Sequence, residues 1–250
     1  MEIKLKENER IDDLQYKGLK IIQNKNGFCF GIDAVLLSDF AKEIKEGANV
    51  VDLGAGTGIL GILLAGKTKL NKIIGIEIQP DVCEMASRSI NLNNMQNRVE
   101  IINEDIKNIE NILETDFYNA VVTNPPYKKI GSGAKNQNEK ESISRHEVKC
   151  TLEDIIRVSD KLLKNCGSLY MVHRPERLAD IIYCLREYKL EPKKIKFVYP
   201  SYGKEPNLIL IKAVKNGNPF LKIENPLFVY KEDGTYTDDI LKIYGREKGE

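Results

Sequence analysis

One stretch decides the fold of this 250-residue chain: Val50-Val51-Asp52-Leu53-Gly54-Ala55-Gly56-Thr57-Gly58-Ile59-Leu60-Gly61. An apolar β-branched run enters it, three glycines alternate through its centre, and an apolar segment leaves it. The pattern predicts a buried strand, a tight turn and the N-terminus of a helix, because alternating glycines let the backbone turn sharply and let a ligand approach the main chain. Taken alone, the motif fits a nucleotide-like ligand and, equally, a turn that binds nothing.

Two carboxylates near this turn narrow the class of ligand. A second apolar strand ends at Glu77, 19 residues after Gly58, where a doubly wound sheet places an acid that binds ribose hydroxyls. Asp52 lies inside the turn, where it would repel a pyrophosphate and attract a cation. The predicted ligand is a nucleoside with a ribose, a positive charge and no phosphate, which describes S-adenosylmethionine.

The remainder of the chain predicts a single domain over residues 1–250. Regular βα alternation indicates an α/β core at 48–214, preceded by a hairpin and a helix (1–47) and followed by a C-terminal extension (215–250). The core strands are expected at 49–53, 72–77, 98–102, 118–123 and 167–172, with a terminal antiparallel hairpin at 194–199 and 208–214.

The composition excludes several function classes. The 38 basic and 37 acidic residues nearly cancel, so any surface that binds nucleic acid must be local. The five cysteines form no C-x-x-C and no metal spacing, and their odd number fits a reducing compartment. No secretory segment or membrane-spanning run is present. We therefore expect a cytoplasmic protein that uses neither a metal nor a membrane.

Two more acids are candidate ligands. Asp33 precedes an apolar helix expected from Ala34, so it is predicted to cap that helix, to contact a ligand at its N-terminus, or both. Asp105 follows the third core strand, at the edge where open α/β sheets bind ligands. We expect Asp105 to bind an adenine amino group, with helix capping as the alternative.

The tetrapeptide Asn124-Pro125-Pro126-Tyr127, directly after the fourth core strand, is the most informative motif for chemistry. Two prolines fix the backbone and remove two N–H donors, leaving rigid acceptors, to which the Asn124 amide oxygen adds another. Such a site suits a planar group with an exocyclic amine or a carboxamide. Accepting both hydrogens turns the nitrogen lone pair toward an electrophile, while the ring stacks on Tyr127. The alternative is a turn that merely ends the strand.

Together these motifs resemble the class I S-adenosylmethionine-dependent methyltransferases, which implies a Rossmann-like, seven-stranded, mostly parallel sheet with helices on both faces and a terminal antiparallel hairpin. The tetrapeptide is similar to that of members that methylate adenine N6, guanine N2 or glutamine. The segment from Phe28 to Leu37 resembles the bacterial tRNA1(Val) (adenine(37)-N6)-methyltransferase family. The run Gly203–Asn207 and the tail Pro226–Tyr236 look like the Gram-positive branch of that family. The resemblance covers nearly the whole chain.

The resemblance implies residue roles. Asn124, Pro125, Pro126 and Tyr127 would be catalytic, and the substrate would be the adenosine just 3′ of the anticodon in a valine tRNA, methylated on N6. S-adenosylmethionine would be bound by Phe30, Asp33, Asp52, Gly54, Ala55, Gly56, Gly58, Glu77, Ile78, Asp105, Ile106 and Asn124. The residues expected to contact RNA are basic, in the N-terminal segment and in the polar loop after the tetrapeptide: Lys17, Lys20, Lys25, Lys128, Lys129, Lys135 and Arg145.

Three alternative functions remain at this point. A glutamine methyltransferase of peptide release factors shares Asn-Pro-Pro-Tyr, but it resembles a chain with a helical substrate domain ahead of the glycine loop, whereas only 49 residues precede Val50 here. A guanine-N2 rRNA enzyme usually has phenylalanine at the fourth motif position. A non-enzymatic RNA-binding module leaves the ribose-binding and amine-binding elements unexplained.

Overall fold

The computed structural model describes residues 4–26, 31–125 and 150–246. The strands in these ranges are β1 (Glu9–Asp13), β2 (Lys20–Asn24), β3 (Asn49–Leu53), β4 (Lys72–Glu77), β5 (Val99–Asn103), β6 (Tyr118–Thr123), β7 (Leu163–His173), β8 (Leu190–Ser201), β9 (Leu208–Lys215), β10 (Lys222–Ile223) and β11 (Leu227–Tyr230). The helices are α1 (Ile32–Phe40), α2 (Ile59–Lys67), α3 (Pro80–Leu92), α4 (Leu152–Leu162), α5 (Leu178–Glu187) and α6 (Asp238–Ile243).

A nine-stranded sheet in the order β10-β8-β9-β7-β6-β3-β4-β5, with β11 also paired to β8, forms the centre of the molecule. Neighbours from β5 to β7 are parallel, while β9 runs antiparallel to both β7 and β8. The Rossmann-like fold with a mostly parallel sheet and an antiparallel terminal hairpin is thus confirmed. The two short strands β10 and β11 extend the seven predicted strands at the outer edge of β8.

Apolar side chains from both faces of the sheet build two cores. On one face, residues of α1, α2 and α6 pack on apolar side chains of β3, β6 and β7 such as Val50 and Val122. On the other face, α4 and α5 cover Val51, Val121 and Leu169. The central strands are apolar on both sides because each side meets a helix layer. No helix in the described ranges is long and apolar enough to cross a bilayer.

Several element boundaries differ from expectation. The strands expected at 167–172 and 194–199 are longer, as β7 (Leu163–His173) and β8 (Leu190–Ser201). Helix α1 begins at Ile32 with Gly31 at its N-cap, so Asp33 is not the cap but an acid in the first turn. Helix α4 stops at Leu162, because from Leu163 the chain extends and joins β7. Helix α5 begins at Leu178 and is preceded by a 3₁₀ turn, Pro175–Arg177.

The N-terminal hairpin β1–β2 is bound along α3. Arg88 Nη1 donates to Glu9 Oε2 at 2.7 Å, and the Ile22 amide donates to Ser89 Oγ at 3.0 Å. At the far end of α3, the Lys20 amide donates to Asn93 Oδ1 at 2.9 Å. The hairpin therefore lies along the C-terminal half of α3, with Lys20 at the end away from the glycine turn.

Gly75 in β4 permits the closest approach between the sheet and the glycine turn. A Cβ at this position would lie 2.5 Å from Ile101 Cδ1 and 2.7 Å from Ala55 Cβ, distances that real contacts do not show. Because Ala55 belongs to the glycine turn, the absent side chain lets that turn lie flat on β4.

Gly75→Ala should lower the free energy of unfolding by about 1–3 kcal/mol, the usual cost of overpacking a dense interior. It should also weaken binding of S-adenosylmethionine, because Ala55 must move. Urea unfolding and calorimetric titration measure the two effects. An unchanged urea midpoint in Gly75→Ala would contradict the packing argument.

Candidate active site

The glycine turn between β3 and α2 is fixed by the end of β4. The amides of Gly54 and Ala55 both donate to the Ile76 carbonyl oxygen, at 3.0 and 2.9 Å, and the Gly56 amide donates to Glu77 Oε2 at 3.0 Å. Three successive amides are thereby held by two successive residues of the neighbouring strand. The turn is rigid, and its shape is set by β4 as much as by its own glycines.

The three glycines of the motif have distinct roles. Gly54, Gly56 and Gly58 all adopt positive φ, at 78°, 54° and 81°, which disfavours any residue with a Cβ. A Cβ on Gly54 or Gly56 would meet nothing within 4 Å, whereas a Cβ on Gly58 would lie 3.4 Å from Ala86 Cβ. Gly54 and Gly56 therefore leave open space for a ligand, and Gly58 allows α2 to pack on α3.

Glu77 is buried at the carboxyl end of β4 and accepts three hydrogen bonds. Besides the Gly56 amide on Oε2, Oε1 accepts from the Gln79 amide at 2.9 Å and from Gln79 Nε2 at 3.1 Å. A carboxylate has about four acceptor positions, so one remains on Oε2 and a second opens if the Gln79 side chain turns away. Glu77 thus orders the glycine turn and keeps acceptors for a ligand.

Asp52 is a buried carboxyl in β3, with only 2% of its surface exposed. Among the described residues, its Oδ2 atom has no hydrogen-bond partner. Burial, and secondarily the negative charge of Glu77, raise the pKa of Asp52 to about 8. A buried carboxyl that lacks a partner is costly, and a cationic group beside it would favour its ionised form. The site therefore fits a ligand with a positive charge.

Apolar and acidic residues continue this edge beyond Glu77. Ile78 and Ile106 are half-buried, after β4 and β5 respectively. Asp105 caps the 3₁₀ turn Ile106–Asn111, because its Oδ1 accepts from the Lys107 amide at 2.9 Å, and its Oδ2 lies 3.8 Å from Lys107 Nζ. The capping alternative is thus realised, with Oδ2 left beyond hydrogen-bond distance of that lysine.

Asn124 and Pro125 follow β6 directly beside the glycine turn. The parallel register pairs Leu53 with Thr123, so Gly54 and Asn124 are the next residues on adjacent strands. Thr123 Oγ1 donates to the Leu53 carbonyl at 2.9 Å and ties the two strand ends together. Asn124 is half-buried and Pro125 is buried. Three other predicted site residues, Phe30, Pro126 and Tyr127, lie outside the described residues.

The structure adds residues that the sequence reasoning did not single out. Gln79 and Thr123 support Glu77 and Asn124 as described above. His173 ends β7 and is buried, and its Nδ1 accepts from the Arg174 amide at 2.8 Å. Burial, with Arg177 nearby, lowers the pKa of His173 to about 4, so its imidazole is neutral. The sequence indicated these three residues only by their positions at or just after the ends of strands, because none of them is part of a recognisable motif.

The predicted RNA-binding lysines are not brought together. Lys20 is bound at the C-terminal end of α3, and Lys17 lies in the turn before it, so both face the sheet edge opposite Asn124. Lys25 follows the other end of β2, about 16 Å from Lys20 at the usual rise of a strand. Lys128, Lys129, Lys135 and Arg145 lie outside the described residues.

The glycine turn thus lies with Asp52, Glu77, Asp105 and Asn124 at the carboxyl edge of the parallel part of the sheet. The open space at Gly54 and Gly56, the buried unpartnered oxygen of Asp52 and the remaining acceptor on Glu77 fit a ribose-bearing cation such as S-adenosylmethionine. Strand spacings of about 4.8 Å place the end of β6 about 10 Å from the end of β4. A second substrate held at Asn124 would therefore lie beside that ligand.

Comparison with known proteins gives a consistent result. A family model described as methyltransferase small domain matches residues 24–182. The tRNA1(Val) (adenine(37)-N6)-methyltransferase of Haemophilus influenzae is 26% identical over 234 residues, which cover 91% of this chain and 94% of that protein. The enzymes of the same name from Porphyromonas gingivalis and Flavobacterium johnsoniae are 26% and 27% identical, and the alignments cover 93% and 92% of this chain and 93% and 96% of those proteins.

Solved structures share the fold. A predicted O-methyltransferase from Agrobacterium tumefaciens superposes with a TM-score of 0.70 at 22% identity, covering 85% of this chain and 95% of that one. M. jannaschii TYW2 in complex with AdoMet superposes with a TM-score of 0.57 at 16% identity, covering 85% and 88%. At sequence identities of 16–22%, this similarity shows a shared fold only.

Asp52→Asn should remove a pH dependence from the unfolding free energy of the protein measured without ligand. A carboxyl whose pKa is raised on folding takes up a proton, so the unfolding free energy should fall by about 1.4 kcal/mol per pH unit between pH 4 and 8. The stability that the protonated Asp52 carboxyl contributes is fully present below about pH 4 and is lost as the pH rises through about 8. Urea unfolding from pH 5 to 9 tests this, with Asp81→Asn, an exposed acid of α3, as the control. Parallel curves for wild type and Asp52→Asn would contradict it.

Glu77→Ala should weaken S-adenosylmethionine binding by about 10- to 100-fold, because charge-assisted hydrogen bonds contribute about 1.5–3 kcal/mol each. It also leaves the Gly56 amide without its acceptor. Isothermal titration calorimetry measures the affinity, and Glu46→Ala, which removes an exposed acid, is the matched control. Wild-type affinity in Glu77→Ala would remove this residue from the site.

Proposed function

This chain belongs to the methyltransferase small domain family, its methyl donor is S-adenosylmethionine, and we propose that it methylates the N6 amine of an adenosine in tRNA. The observation that carries the proposal is the position of Asn124: the first residue of a rigid acceptor motif, directly beside the glycine turn. The names of the relatives, which match almost end to end, support the substrate class.

Different residues of this chain would bind different parts of S-adenosylmethionine. Asp52 would face its positively charged methionine end, and the amides and open space at Gly54 and Gly56 would lie against its backbone atoms. Glu77 would accept from the ribose hydroxyls. Ile78 and Ile106 would enclose the adenine, with Asp105 Oδ2 as the acceptor for its amino group. The bound sulfonium supplies an electrophilic methyl group.

Asn124 and Pro125 would hold the target amine. The Asn124 amide oxygen and the Pro125 carbonyl oxygen are two acceptors for the two N–H bonds of an exocyclic amine, and proline has no N–H that would repel them. With both hydrogens held, the nitrogen lone pair is directed out of the purine plane and toward the cofactor. A neutral amine needs no base before it attacks, so the proton leaves after the methyl group has been transferred.

The proposed target is the adenosine just 3′ of the anticodon in a valine tRNA, and the proposed place of action is the cytoplasm. The names of the relatives favour tRNA over a release factor as the substrate. The described part of residues 1–47 is a two-stranded hairpin against α3 and the helix α1. Transfer of labelled methyl groups to bulk tRNA, purified release factor or ribosomal RNA separates the alternatives. Nucleoside mass spectrometry of tRNA from cells lacking the protein identifies the modified base.

Asn124→Ala should lower the single-turnover rate by about 10²-fold or more, the range seen when one transition-state hydrogen-bonding group is removed. Affinities for cofactor and tRNA should change little, because neither depends chiefly on this side chain. Asn119→Ala, at the opposite end of β6, is the matched control and should retain the wild-type rate. Near-normal turnover by Asn124→Ala at saturating substrates would refute amine methylation at this site.

A further inference from the structure

A cluster of aromatic side chains lies beyond the catalytic strands, where β8 and β11 end. We call Tyr199, Tyr202 and Phe228 the aromatic platform. The ring centroids of Tyr199 and Phe228 are 5.2 Å apart with an interplanar angle of 34°, and those of Tyr202 and Phe228 are 6.1 Å apart at 50°. Tyr202 is 82% exposed, so the platform presents at least one open ring face to solvent.

The aromatic platform and Asn124 lie on the same edge of the sheet. Strand β9 is antiparallel to both β7 and β8, so β8 runs in the direction of β7 and β6, and β11 is parallel to β8. The carboxyl ends of β6, β8 and β11 therefore point the same way. Three strand spacings of about 4.8 Å separate β6 from β8, which gives about 14 Å across the sheet. The register places Asn124 level with Lys196, so Tyr202 lies six residues further along the strand direction and about 25 Å from Asn124.

The loop that carries Tyr202 is held in place. The Asn207 amide donates to the Val198 carbonyl at 3.0 Å and closes the loop at its base. Arg174 Nη1, just after β7, donates to the Asn207 carbonyl at 2.9 Å and joins the loop to the strand next to Asn124's own. Gly203 turns the chain with a φ of 75°. The loop is thus anchored to the catalytic edge, although Tyr202 itself contributes little to packing.

We propose that the aromatic platform stacks an unpaired base of the tRNA substrate, about seven nucleotides from the adenosine held at Asn124. The inference rests on the proposed function and names the surface that receives the RNA. Aromatic rings stack on bases that have left a helix, and single-stranded loops are where RNA sequences are read by proteins. Nucleotides stacked at about 3.4 Å per residue cover about 25 Å in about seven steps.

The charge of the chain agrees with binding by stacking. Basic and acidic residues nearly cancel over the whole chain, so net charge does not draw RNA to it and binding relies on local surfaces. Lys20 is bound at the C-terminal end of α3, at the edge of the sheet opposite Asn124. On the loop of the aromatic platform, Lys204 is exposed and offers one phosphate contact. Base stacking on Tyr202 then carries most of the affinity at this position.

The test compares tRNA binding and methyl transfer among variants of the full chain. Tyr202→Ala should weaken binding of valine tRNA by about 5- to 100-fold and raise its KM to match, with kcat and cofactor affinity unchanged. Tyr202→Phe should restore binding, because the ring and not the hydroxyl stacks. Tyr183→Ala removes a 69% exposed tyrosine from α5 and should bind tRNA as wild type does.

Salt dependence separates stacking from charge. Lys204→Ala should reduce the slope of log affinity against log salt by about one unit, whereas Tyr202→Ala should lower affinity at every salt concentration without changing the slope. Because Tyr202 is so exposed, loss of the ring should leave the unfolding midpoint unchanged, which urea titration verifies.

Two outcomes would overturn the inference. The first is wild-type tRNA affinity in Tyr202→Ala while methyl transfer to tRNA proceeds, which leaves the proposed function standing. The second is a change in oligomeric state by light scattering with tRNA affinity unaltered, which would make the aromatic platform a protein interface. Conversely, if tRNA binding depends on Tyr202 but no methyl group is transferred to adenosine, the aromatic platform is supported as an RNA-binding surface and the proposed adenosine methylation is refuted.

Discussion

The structure depends on the set of hydrogen bonds that joins the glycine turn to the end of β4. Gly54, Ala55 and Gly56 donate in succession to Ile76 and Glu77, and this fixes three backbone positions that only glycine or a small residue tolerates. The same bonds set the direction in which α2 leaves the sheet. They also bring the turn next to Asn124, because β3 pairs with β4 on one side and with β6 on the other.

The buried acids show how binding and stability oppose each other at this edge. The Oδ2 atom of Asp52 is buried in β3 without a hydrogen-bond partner among the described residues, where an apolar side chain would stabilise the chain. Glu77 is buried as well, but its charge is shared with the Gly56 and Gln79 donors. Because Glu77 has hydrogen-bond donors and the Oδ2 atom of Asp52 has none, Asp52 destabilises the fold whereas Glu77 stabilises it. A ligand that donates a hydrogen bond to Asp52, above all a cationic one, would offset this cost.

The sequence predicted the core of the fold and the order of its motifs, because strands buried on both faces and alternating glycines leave strong patterns. It located Glu77, Asp105 and Asn124 by the rule that ligands bind at the carboxyl ends of parallel strands. It placed the cap of α1 at Asp33 instead of Gly31, because capping propensity favours an acid over the glycine that the backbone uses. It grouped Lys17, Lys20 and Lys25, which are close in sequence, although β2 separates them in space. The roles of Gly75 and the Tyr202 loop depend on contacts between distant segments, which no local pattern reveals.

The first core takes residues from both ends of the chain. Leu14 and Ile21 of the hairpin region, the buried face of α1, Leu227 and Val229 of β11, and Ile240 of α6 are all members of it. During synthesis the ribosome delivers Ile240 about 220 residues after the first of these contacts is available. Helix α1 can pack on α2 early, but the part of this core formed by β11 and α6 is completed only when residues 227–240 arrive. Contacts of such sequence separation slow folding, because a long loop must close before they form.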